Sequence, residues 1–324
     1  MSGCPSPQPS ARFAGRGGSF SLIRPPRLRP GDLVRVVAAS GPIFPEAFAP
    51  GEALLATRYR LRYDPKTLFA ADGYLAGADE ARLAALVEAL KDPEAKAVFL
   101  GRGGYGLLRI IDRLDTALLR ENPKPIVGFS DGTALLAFAA QAGVAAIHGP
   151  VVTQLARLPA EDHAALFSLL ESPEPQALLR GLSPLRPGGA VGPLLGGNLE
   201  VFTRLLGTKY LPDLDGAILF LEDVGERPYR IDRLLTHLHL AGVFDRVAAV
   251  IFGDLVGCEE PPGSRVVSPL AADVVKERLA RLAVPVALGA PVGHGSRNLA
   301  LPYGVRAQLD VQAGTLVALE AAVS

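Results

Sequence analysis

A serine flanked by glycines lies near the middle of the sequence, in Gly128-Phe129-Ser130-Asp131-Gly132. An apolar segment of strand type, 125–127, precedes it, and a segment of helix type, 133–140, follows it. A serine on such a strand-to-helix turn can act as a nucleophile. The turn exposes its hydroxyl, and the following helix points free N–H groups at the place where an oxyanion would form. The alternative is an ordinary turn in which Asp131 or Thr133 caps the helix.

A serine nucleophile needs a base to remove its proton and an acid to orient that base. His148 and His294 each follow an apolar segment and adjoin glycine, so we expect both in loops at strand ends, with backbone capping as the alternative. Glu222 is the best acid because it ends an apolar run of strand type. Asp223 should face the opposite side, and capping of the next helix is the alternative for both carboxylates. Ser130, Glu222 and His294 then follow in the order nucleophile, acid, base.

The other three histidines are set aside as bases. His163 lies on the polar start of a helix and is expected to be solvated. His237 and His239 are two residues apart on a helix, so they face different sides and cannot hold a metal together. Cys4 and Cys258 are too far apart to indicate a disulfide framework or a zinc cluster. The sequence therefore predicts no metal and no cofactor, and a reducing cytoplasm is the simplest setting.

A second glycine-rich segment, Gly101-Arg102-Gly103-Gly104-Tyr105-Gly106, lies between a strand-type run and a helix. It fits the G-x-G-x-x-G fingerprint, so a dinucleotide-binding module is the alternative from a different class of protein. Three features disfavour it. The segment follows the third strand, Arg102 interrupts the turn, and the acid expected about 20 residues on would have to be Asp131. We instead expect this loop to offer backbone donors beside Ser130, because it ends the strand next to the serine turn.

The composition is that of an ordinary globular protein. The 324 residues are 49% hydrophobic and 20% charged, and 33 basic and 33 acidic side chains give a formal net charge of zero. That balance disfavours nucleic acid or a membrane surface as the main partner. No apolar run reaches the roughly 18 residues of a membrane span, and the N-terminus lacks the apolar segment of a secretory signal.

Strands and helices alternate along the chain, which predicts a parallel sheet covered on both faces. Pro50-Gly51 is expected to break the chain before a helix at 52–58. The expected strands of the first half are 33–39, 60–63, 95–100, 125–127 and 145–147. In the second half we expect helices at 198–206, 229–240 and 269–282, strands at 216–221 and 247–252, and a closing hairpin at 306–309 and 315–319.

Four regions follow from these elements. They are a disordered tail over 1–27, an N-terminal α/β domain with the nucleophile over 28–155, a linker region rich in proline and glycine over 156–195, and a C-terminal domain with the acid and base over 196–324. The linker is expected to contain one helix near 160–171.

Several stretches, taken in order, resemble the LD-carboxypeptidases, a family of serine peptidases that includes muramoyl-tetrapeptide carboxypeptidases and microcin C immunity proteins. The resemblance covers essentially everything after residue 28. Gly132 departs from the family, which more often has a larger apolar residue there, and the tail has no family counterpart. The resembling stretches are 30–32 with 36–42, 74–77 with 79–82, 101–106, 124–131, 148–150, 196–199, 219–223, 293–295 with 298–299, and 301–304.

The resemblance implies a nucleophile at Ser130, an acid at Glu222 and a base at His294. It also implies oxyanion donors from the backbone of Asp131 and of the Gly103-Gly104 loop. The implied fold is α/β, with an N-terminal parallel-sheet (Rossmann-like) domain, a C-terminal α/β domain of the swivelling type, and the active site in the cleft between them. Members of the family are cytoplasmic homodimers without metal or cofactor. They cut the amide bond between an L-centre and a C-terminal D-amino acid, typically releasing D-Ala from murein tetrapeptides in peptidoglycan recycling.

The substrate implied is therefore a small muropeptide, and three other functions stay open. A carboxypeptidase must bind a terminal carboxylate, for which Arg102 is the candidate, with a solvated loop arginine as the alternative. The other functions are an amidase of microcin C-type peptidyl-nucleotide conjugates, an esterase of the α/β-hydrolase type, and the dinucleotide-binding module. The esterase shares the order of the triad but needs an HGGG-type stretch that the sequence lacks.

Overall fold

The computed structural model describes residues 22–265 and 267–324, which form two β-sheets with helices packed on their faces. The first half alternates between strand and helix, as its sequence predicts. Its strands are β1 (Leu33–Val37), β2 (Arg60–Arg62), β3 (Ala95–Leu100), β4 (Ile126–Gly128) and β5 (Ala146–His148). Its helices are α1 (Pro45–Ala56), α2 (Pro65–Leu68), α3 (Asp79–Lys91), α4 (Thr116–Glu121), α5 (Thr133–Gln141) and α6 (Val152–Leu155), with 3₁₀ turns at Leu107–Arg109, Ile111–Arg113 and Ser130–Gly132.

The first sheet is parallel over these strands, which lie in the order β5-β4-β3-β1-β2. β1, β3 and β4 are buried almost throughout, which is typical of parallel strands that helices cover on both faces. Phe99 of β3 pairs with Val127 of β4, so the carboxyl ends of these two strands are neighbours. The glycine-rich loop after β3 and the serine turn after β4 therefore lie side by side, as the sequence predicts.

The second half builds another sheet. Its elements are α7 (Ala160–Glu171), β6 (Ala177–Leu179), β7 (Ser183–Arg186), β8 (Gly189–Asn198), α8 (Leu199–Thr203), β9 (Ile218–Val224), α9 (Pro228–Leu240), β10 (Ala249–Val256), α10 (Ala271–Ala280), β11 (Val286–Leu288), β12 (Leu301–Tyr303), β13 (Arg306–Asp310) and β14 (Thr315–Ala318). The second sheet has the order β6-β14-β13-β8-β9-β10-β11-β7. Its centre from β8 to β11 is parallel, and the β13–β14 pair confirms the expected closing hairpin. The α/β class with two domains is thus confirmed.

Strand β12 returns to the first sheet. It pairs antiparallel with β5, with Leu301 opposite His148 and Tyr303 opposite Ala146. The region expected over 196–324 therefore contributes to both sheets. The segment 289–300, which connects β11 in the second sheet with β12 in the first, must cross between the two domains. The sequence analysis did not predict this strand, because a proline in the middle of a short run disfavours a strand assignment.

The regions expected at the domain boundaries are more ordered than their composition indicates. The stretch 156–195 contains α7 but also β6, β7 and most of β8. Pro184 is compatible with a strand because it lies on β7, at the edge of the sheet, where a missing N–H costs no central ladder bond. Of the tail expected over 1–27, residues 1–21 lie outside the described residues. Residues 22–27 are ordered, since Ile23 bridges to Val144 in parallel.

Among the described residues, every helix is too short or too polar to cross a membrane.

The expected break at Pro50-Gly51 is wrong, because α1 continues through both residues. The reason is a tertiary contact. Gly51 faces the start of α6, and a Cβ at this position would overlap the carbonyl oxygen of Val152. The close approach of the two helices requires glycine here, so packing outweighs the poor helix propensity of the dipeptide.

Substitution of Gly51 by alanine tests this contact. Helix propensity alone would stabilise the protein by up to about 1 kcal/mol. The overlap with Val152 instead predicts that Gly51→Ala lowers the free energy of unfolding by about 1–3 kcal/mol. Urea denaturation measures the difference, with Ala53→Gly at an exposed site of the same helix as the control for propensity. A stabilised Gly51→Ala protein would contradict the packing argument.

Candidate active site

Ser130 lies directly beyond β4, at the start of the 3₁₀ turn that leads into α5. Its φ of +60° is the only positive value for a non-glycine residue among the described residues. Such a conformation costs about 1–3 kcal/mol and is concentrated at active sites. A Cβ at Gly128 or Gly132 would lie 2.6 or 2.8 Å from Cδ1 of Leu100, so the turn packs tightly on β3. The Leu100 side chain would therefore have to shift to admit a Cβ at either glycine of the motif.

The glycine-rich loop lies against the serine, as expected. A Cβ at Gly103 would be 2.9 Å from Oγ of Ser130 and 3.7 Å from the backbone nitrogen of Asp131. Gly104 has a φ of +106° and lies against Gly41, whose backbone N–H donates to the Gly103 carbonyl at 3.0 Å. The backbone groups expected to bind an oxyanion, at Asp131, Gly103 and Gly104, are thus in one neighbourhood around Ser130.

Two buried side chains hold this loop in place. The carboxylate of Asp131 accepts from the backbone N–H of Leu107 at 2.8 Å. Arg82, also buried, donates through Nη1 to the carbonyls of Gly106 at 2.9 Å and Ala39 at 2.5 Å. Burial raises the pKa of Asp131, while the Leu107 amide lowers it. The side chain that follows the nucleophile is thus a tether for the loop, a role different from the helix cap considered as its alternative.

The expected acid and base are in contact. Oε2 of Glu222 is 2.7 Å from Nδ1 of His294. Glu222 is fully buried on β9, whereas the His294 side chain keeps 19% of its exposure. The His294 ring also packs on Phe129, with centroids 4.7 Å apart, and Phe129 directly precedes Ser130. With Nδ1 bound to the carboxylate, Nε2 is the nitrogen available to receive a proton.

A carboxylate lies against each of the two glycines that flank His294. Gly293 has a φ of +122°, and a Cβ there would be 2.5 Å from Oε2 of Glu222. A Cβ at Gly295 would overlap the carboxylate of Asp254. Burial raises the pKa of Asp254, and the Gly295 amide that it accepts from lowers it. The sequence analysis missed Asp254, although a charged residue in the apolar run of β10 was a usable signal.

His148, the other candidate base, is a packing residue. Its ring is fully buried between Phe220, at 4.9 Å between centroids, and Phe129, at 5.9 Å. Burial lowers the pKa of His148 to about 3, and the nearby His294 contributes in the same direction. Within the described part of the chain, neither ring nitrogen has a hydrogen-bond partner. A buried, neutral ring is suited to packing in the core and not to exchanging protons with solvent.

The remaining histidines lie away from the serine. His163, expected to be solvated, is half-buried instead, and its Nε2 lies 2.8 Å from the carbonyl of Leu155. His237 and His239 are both exposed on α9.

Ser130 opens into a cleft of about 520 Å³ between the two halves of the chain. Gly104 and Tyr105 line one wall, and Asn198, Arg204 and Asp223 line the other. This volume is in the range of small-ligand pockets, about 300–1,000 Å³. The cleft can therefore admit the end of a short peptide.

The far wall of the cleft is held to the serine domain by Asn198. Its backbone N–H donates to Oγ1 of Thr133 at the start of α5 (3.0 Å), and its Nδ2 donates to Asp223 (3.0 Å). Asp223 also accepts from the backbone N–H groups of Glu200 and Val224. Burial raises the pKa of Asp223 to about 7 against the effect of these donors. Asp223 thus orders this wall, beyond the helix cap considered for it.

Two arginines are considered for a substrate carboxylate, of which Arg204 lines the cleft and Arg102 does not. Arg102 is half-buried, and its Nη1 donates to the carbonyl of Pro42 at 2.5 Å. Arg204 lines the cleft and is paired with Glu200, 2.5 Å away. The sequence analysis did not single out Arg204, whose i,i+4 spacing from Glu200 looks like an ordinary surface pair.

Two α/β domains with a serine beside a histidine–glutamate pair are the arrangement that serine hydrolases use. The chain belongs to the LD-carboxypeptidase family. The family profile for the LD-carboxypeptidase N-terminal domain matches residues 34–149, and the profile for the LD-carboxypeptidase C-terminal domain matches residues 191–309. These matches confirm the resemblance on which the sequence analysis relies.

Named relatives match most of the chain. The murein tetrapeptide carboxypeptidase of Pseudomonas aeruginosa is 37% identical over 251 residues, which cover 73% of this chain and 80% of that protein. The protein named probable murein peptide carboxypeptidase of Bacillus subtilis is 35% identical over 315 residues, covering 95% of this chain and 98% of that protein.

Solved structures share the fold over nearly the whole chain. Muramoyltetrapeptide carboxypeptidase from Oxalobacter formigenes superposes with a TM-score of 0.76 at 28% identity, covering 88% of this chain and 97% of that one. The microcin C7 self-immunity protein MccF, in an inactive mutant, gives a TM-score of 0.83 at 24% identity, covering 93% and 99%. At that identity, the likeness to MccF shows the fold alone.

The buried His148 predicts a specific acid sensitivity. In the unfolded chain a histidine takes up a proton near its ordinary pKa of 6.5, whereas folded His148 does so only near pH 3. Its contribution to stability is therefore complete above pH 6.5 and is lost as the pH falls toward 3. Between pH 7 and pH 5 this should lower the free energy of unfolding by about 2 kcal/mol.

The apolar substitution His148→Met should remove that contribution, whatever its effect on stability at pH 7. Denaturant unfolding at pH 7 and pH 5 measures the change, and His239→Gln on the exposed face of α9 is the control. If His148→Met kept the full pH dependence of the wild type, the assignment of His148 as a neutral core residue would be wrong.

Proposed function

We propose that the protein is a serine-type LD-carboxypeptidase that hydrolyses the amide bond between an L-centre and a C-terminal D-amino acid. The substrate class that we propose is the murein tetrapeptide, which would be converted to tripeptide and D-Ala in peptidoglycan recycling. The observation that carries the proposal is the 2.7 Å contact between Glu222 and His294, with the His294 ring packed on the residue before Ser130. Membership of the LD-carboxypeptidase family and the names of the relatives support the substrate class.

In this mechanism Nε2 of His294 removes the hydroxyl proton of Ser130 as Oγ attacks the scissile carbonyl. Glu222 holds the Nδ1–H of His294 and stabilises the imidazolium that forms. The oxyanion is stabilised by the backbone N–H of Asp131 and by those of the Gly103-Gly104 loop. His294 then gives its proton to the departing D-Ala amine. In the second half of the reaction His294 removes a proton from water as the water attacks the acyl-enzyme, and it returns that proton to Oγ of Ser130 as the tripeptide leaves.

The position of the glycine-rich loop supports its use as a donor loop and disfavours the dinucleotide-binding alternative. Gly103 lies against Oγ of Ser130, which is where a donor to the oxyanion is needed. We propose, on the family resemblance, that the protein works in the cytoplasm as a homodimer. Sedimentation velocity measures the assembly.

The proposed reaction can be tested on the tetrapeptide itself. Purified wild-type protein should release a single D-Ala from L-Ala-γ-D-Glu-meso-diaminopimelate-D-Ala, as detected by mass spectrometry. Ser130→Ala should lower kcat by at least about 10³-fold, because the residues of a triad act as a unit. Circular dichroism and Tm of the variant control for folding.

Three results would change the proposal. Retained activity in folded Ser130→Ala would exclude Ser130 as the nucleophile. A folded wild type that spares the tetrapeptide but cleaves a peptidyl-nucleotide conjugate would make the amidase the function. Rapid turnover of simple nitrophenyl esters, with neither peptide cleaved, would indicate the esterase.

The terminal carboxylate gives a second prediction. We propose that Arg102 pairs with it, and loss of a hydrogen bond to a charged group costs about 1.5–3 kcal/mol. Arg102→Met should therefore raise KM for the tetrapeptide about 10- to 100-fold. The same variant should have little effect on a tetrapeptide that ends in D-Ala amide. Arg204→Met is the matched comparison, and a carboxylate-dependent loss in that variant alone would assign the contact to Arg204.

A further inference from the structure

The segment that carries the proposed base is held from the other domain. His294 lies on 289–300, between β11 in the second sheet and β12 in the first. Its neighbour Gly293 is bound at both backbone groups by side-chain amides. The Gly293 N–H donates to Oδ1 of Asn298 (3.0 Å), and the Gly293 carbonyl accepts from Nε2 of Gln154 (3.0 Å). Gln154 belongs to α6, at the end of the serine domain.

The two amides also bind each other and so close a ring. Nδ2 of Asn298 donates to Oε1 of Gln154 at 2.8 Å. Gln154 and Asn298 are 3% and 0% exposed, so water cannot replace a lost bond. Each amide uses its oxygen and its nitrogen within the ring, and rotation of either amide by 180° would set like groups against each other. The ring therefore has one arrangement.

A buried carboxylate fixes the other end of the segment. Asp162 on α7 accepts from the backbone N–H of Asn298 and from Nε of Arg297, both at 2.7 Å. Asp162 is fully buried. The segment is thus anchored at Gly293 by α6 and at Asn298 by α7, and both helices precede the strands of the second sheet in the chain.

A small movement of Gly293 would be felt at the proposed acid. The Gly293 backbone lies directly against Glu222, at a distance that leaves no room for a Cβ. The next residue, His294, makes the hydrogen bond to Glu222. A change in the position of the 293 peptide must therefore change the distance or the angle between the histidine and the carboxylate.

We propose that Gln154 is a positioning residue for His294: from the far domain it fixes the Gly293 peptide, and with Asn298 it holds the base at Glu222 and beside Ser130. The proposal rests on the proposed function, because it assigns Gln154 a role through the base of that reaction. Gln154 itself does not touch the reacting atoms.

The test measures the reactivity of Ser130 without the natural substrate. A fluorophosphonate labels an activated serine, and its rate reports on the base whatever peptide the enzyme cleaves. Gln154→Met keeps the length of the side chain but removes both amide contacts. Gln154→Glu keeps the acceptor for Asn298 and loses the donor to Gly293. Both variants should lower the labelling rate about 10- to 100-fold, as expected for a displaced catalytic group.

Kinetics on the tetrapeptide provide the second readout. Both variants should lower kcat by a similar factor and leave KM within about twofold, because the cleft walls are unchanged. Lys124→Met is the matched control. It removes a buried side-chain bond to the carbonyl of Asp92, at the opposite end of β4 from Ser130, and should leave kcat unchanged.

A double-mutant cycle separates positioning from general damage. In a His294→Ala background, Gln154→Met should have no further effect on labelling, because the group through which it acts is gone. Equal labelling of wild type and both Gln154 variants would overturn the proposal, and so would a loss that is multiplicative with His294→Ala. Wild-type labelling without tetrapeptide cleavage would overturn the murein substrate but leave the role of Gln154 measurable. An unlabelled Ser130 in the wild type would overturn both.

Discussion

A carboxylate removed from water must be given a partner, and the proposed active site is built around that requirement. Glu222 is fully buried on β9 and has His294 at 2.7 Å. A buried charge without such a partner would cost several kcal/mol. The histidine comes from a different part of the chain, and Gly293 makes the approach possible because any side chain there would strike the carboxylate. The proposed acid therefore constrains the path of the segment that bears the proposed base.

That path explains why one strand of the second half belongs to the first sheet. Glu222 lies in the second sheet, whereas Ser130 follows β4 of the first. A base that serves both must lie on a segment that passes between the sheets. The pairing of β12 with β5 gives the segment its far end, and β5 is the neighbour of β4. The two domains are therefore joined at the place where proton transfer would occur, and motion of one domain against the other would be restrained there.

Local sequence patterns predicted the parts of the site that local chemistry determines. Ser130 is recognisable from the glycines that flank it on a strand-to-helix turn. His294 is recognisable from the glycines on both sides of it. The alternation of short apolar strands and helices predicted the parallel sheet. Other interactions between distant residues were not predicted. The helix through Pro50-Gly51 depends on a contact with α6. The burial of His148 depends on Phe220 of β9 and on Phe129, which directly follows β4.

The same distinction applies to the groups that orient the site. Asp131 looks like a helix cap in sequence, yet its carboxylate binds Leu107 on the neighbouring loop. Arg82 carries a charge, yet it lies with Leu86 on the buried face of α3 and binds two carbonyls of separate loops. Each of these side chains satisfies backbone groups that irregular loops leave without partners, which is a condition for burying such loops at all. Loops that supply backbone donors to an oxyanion have no regular ladder to hold them. Their rigidity must come from buried polar side chains, whose partners are fixed by the fold and cannot be read from spacing along the chain.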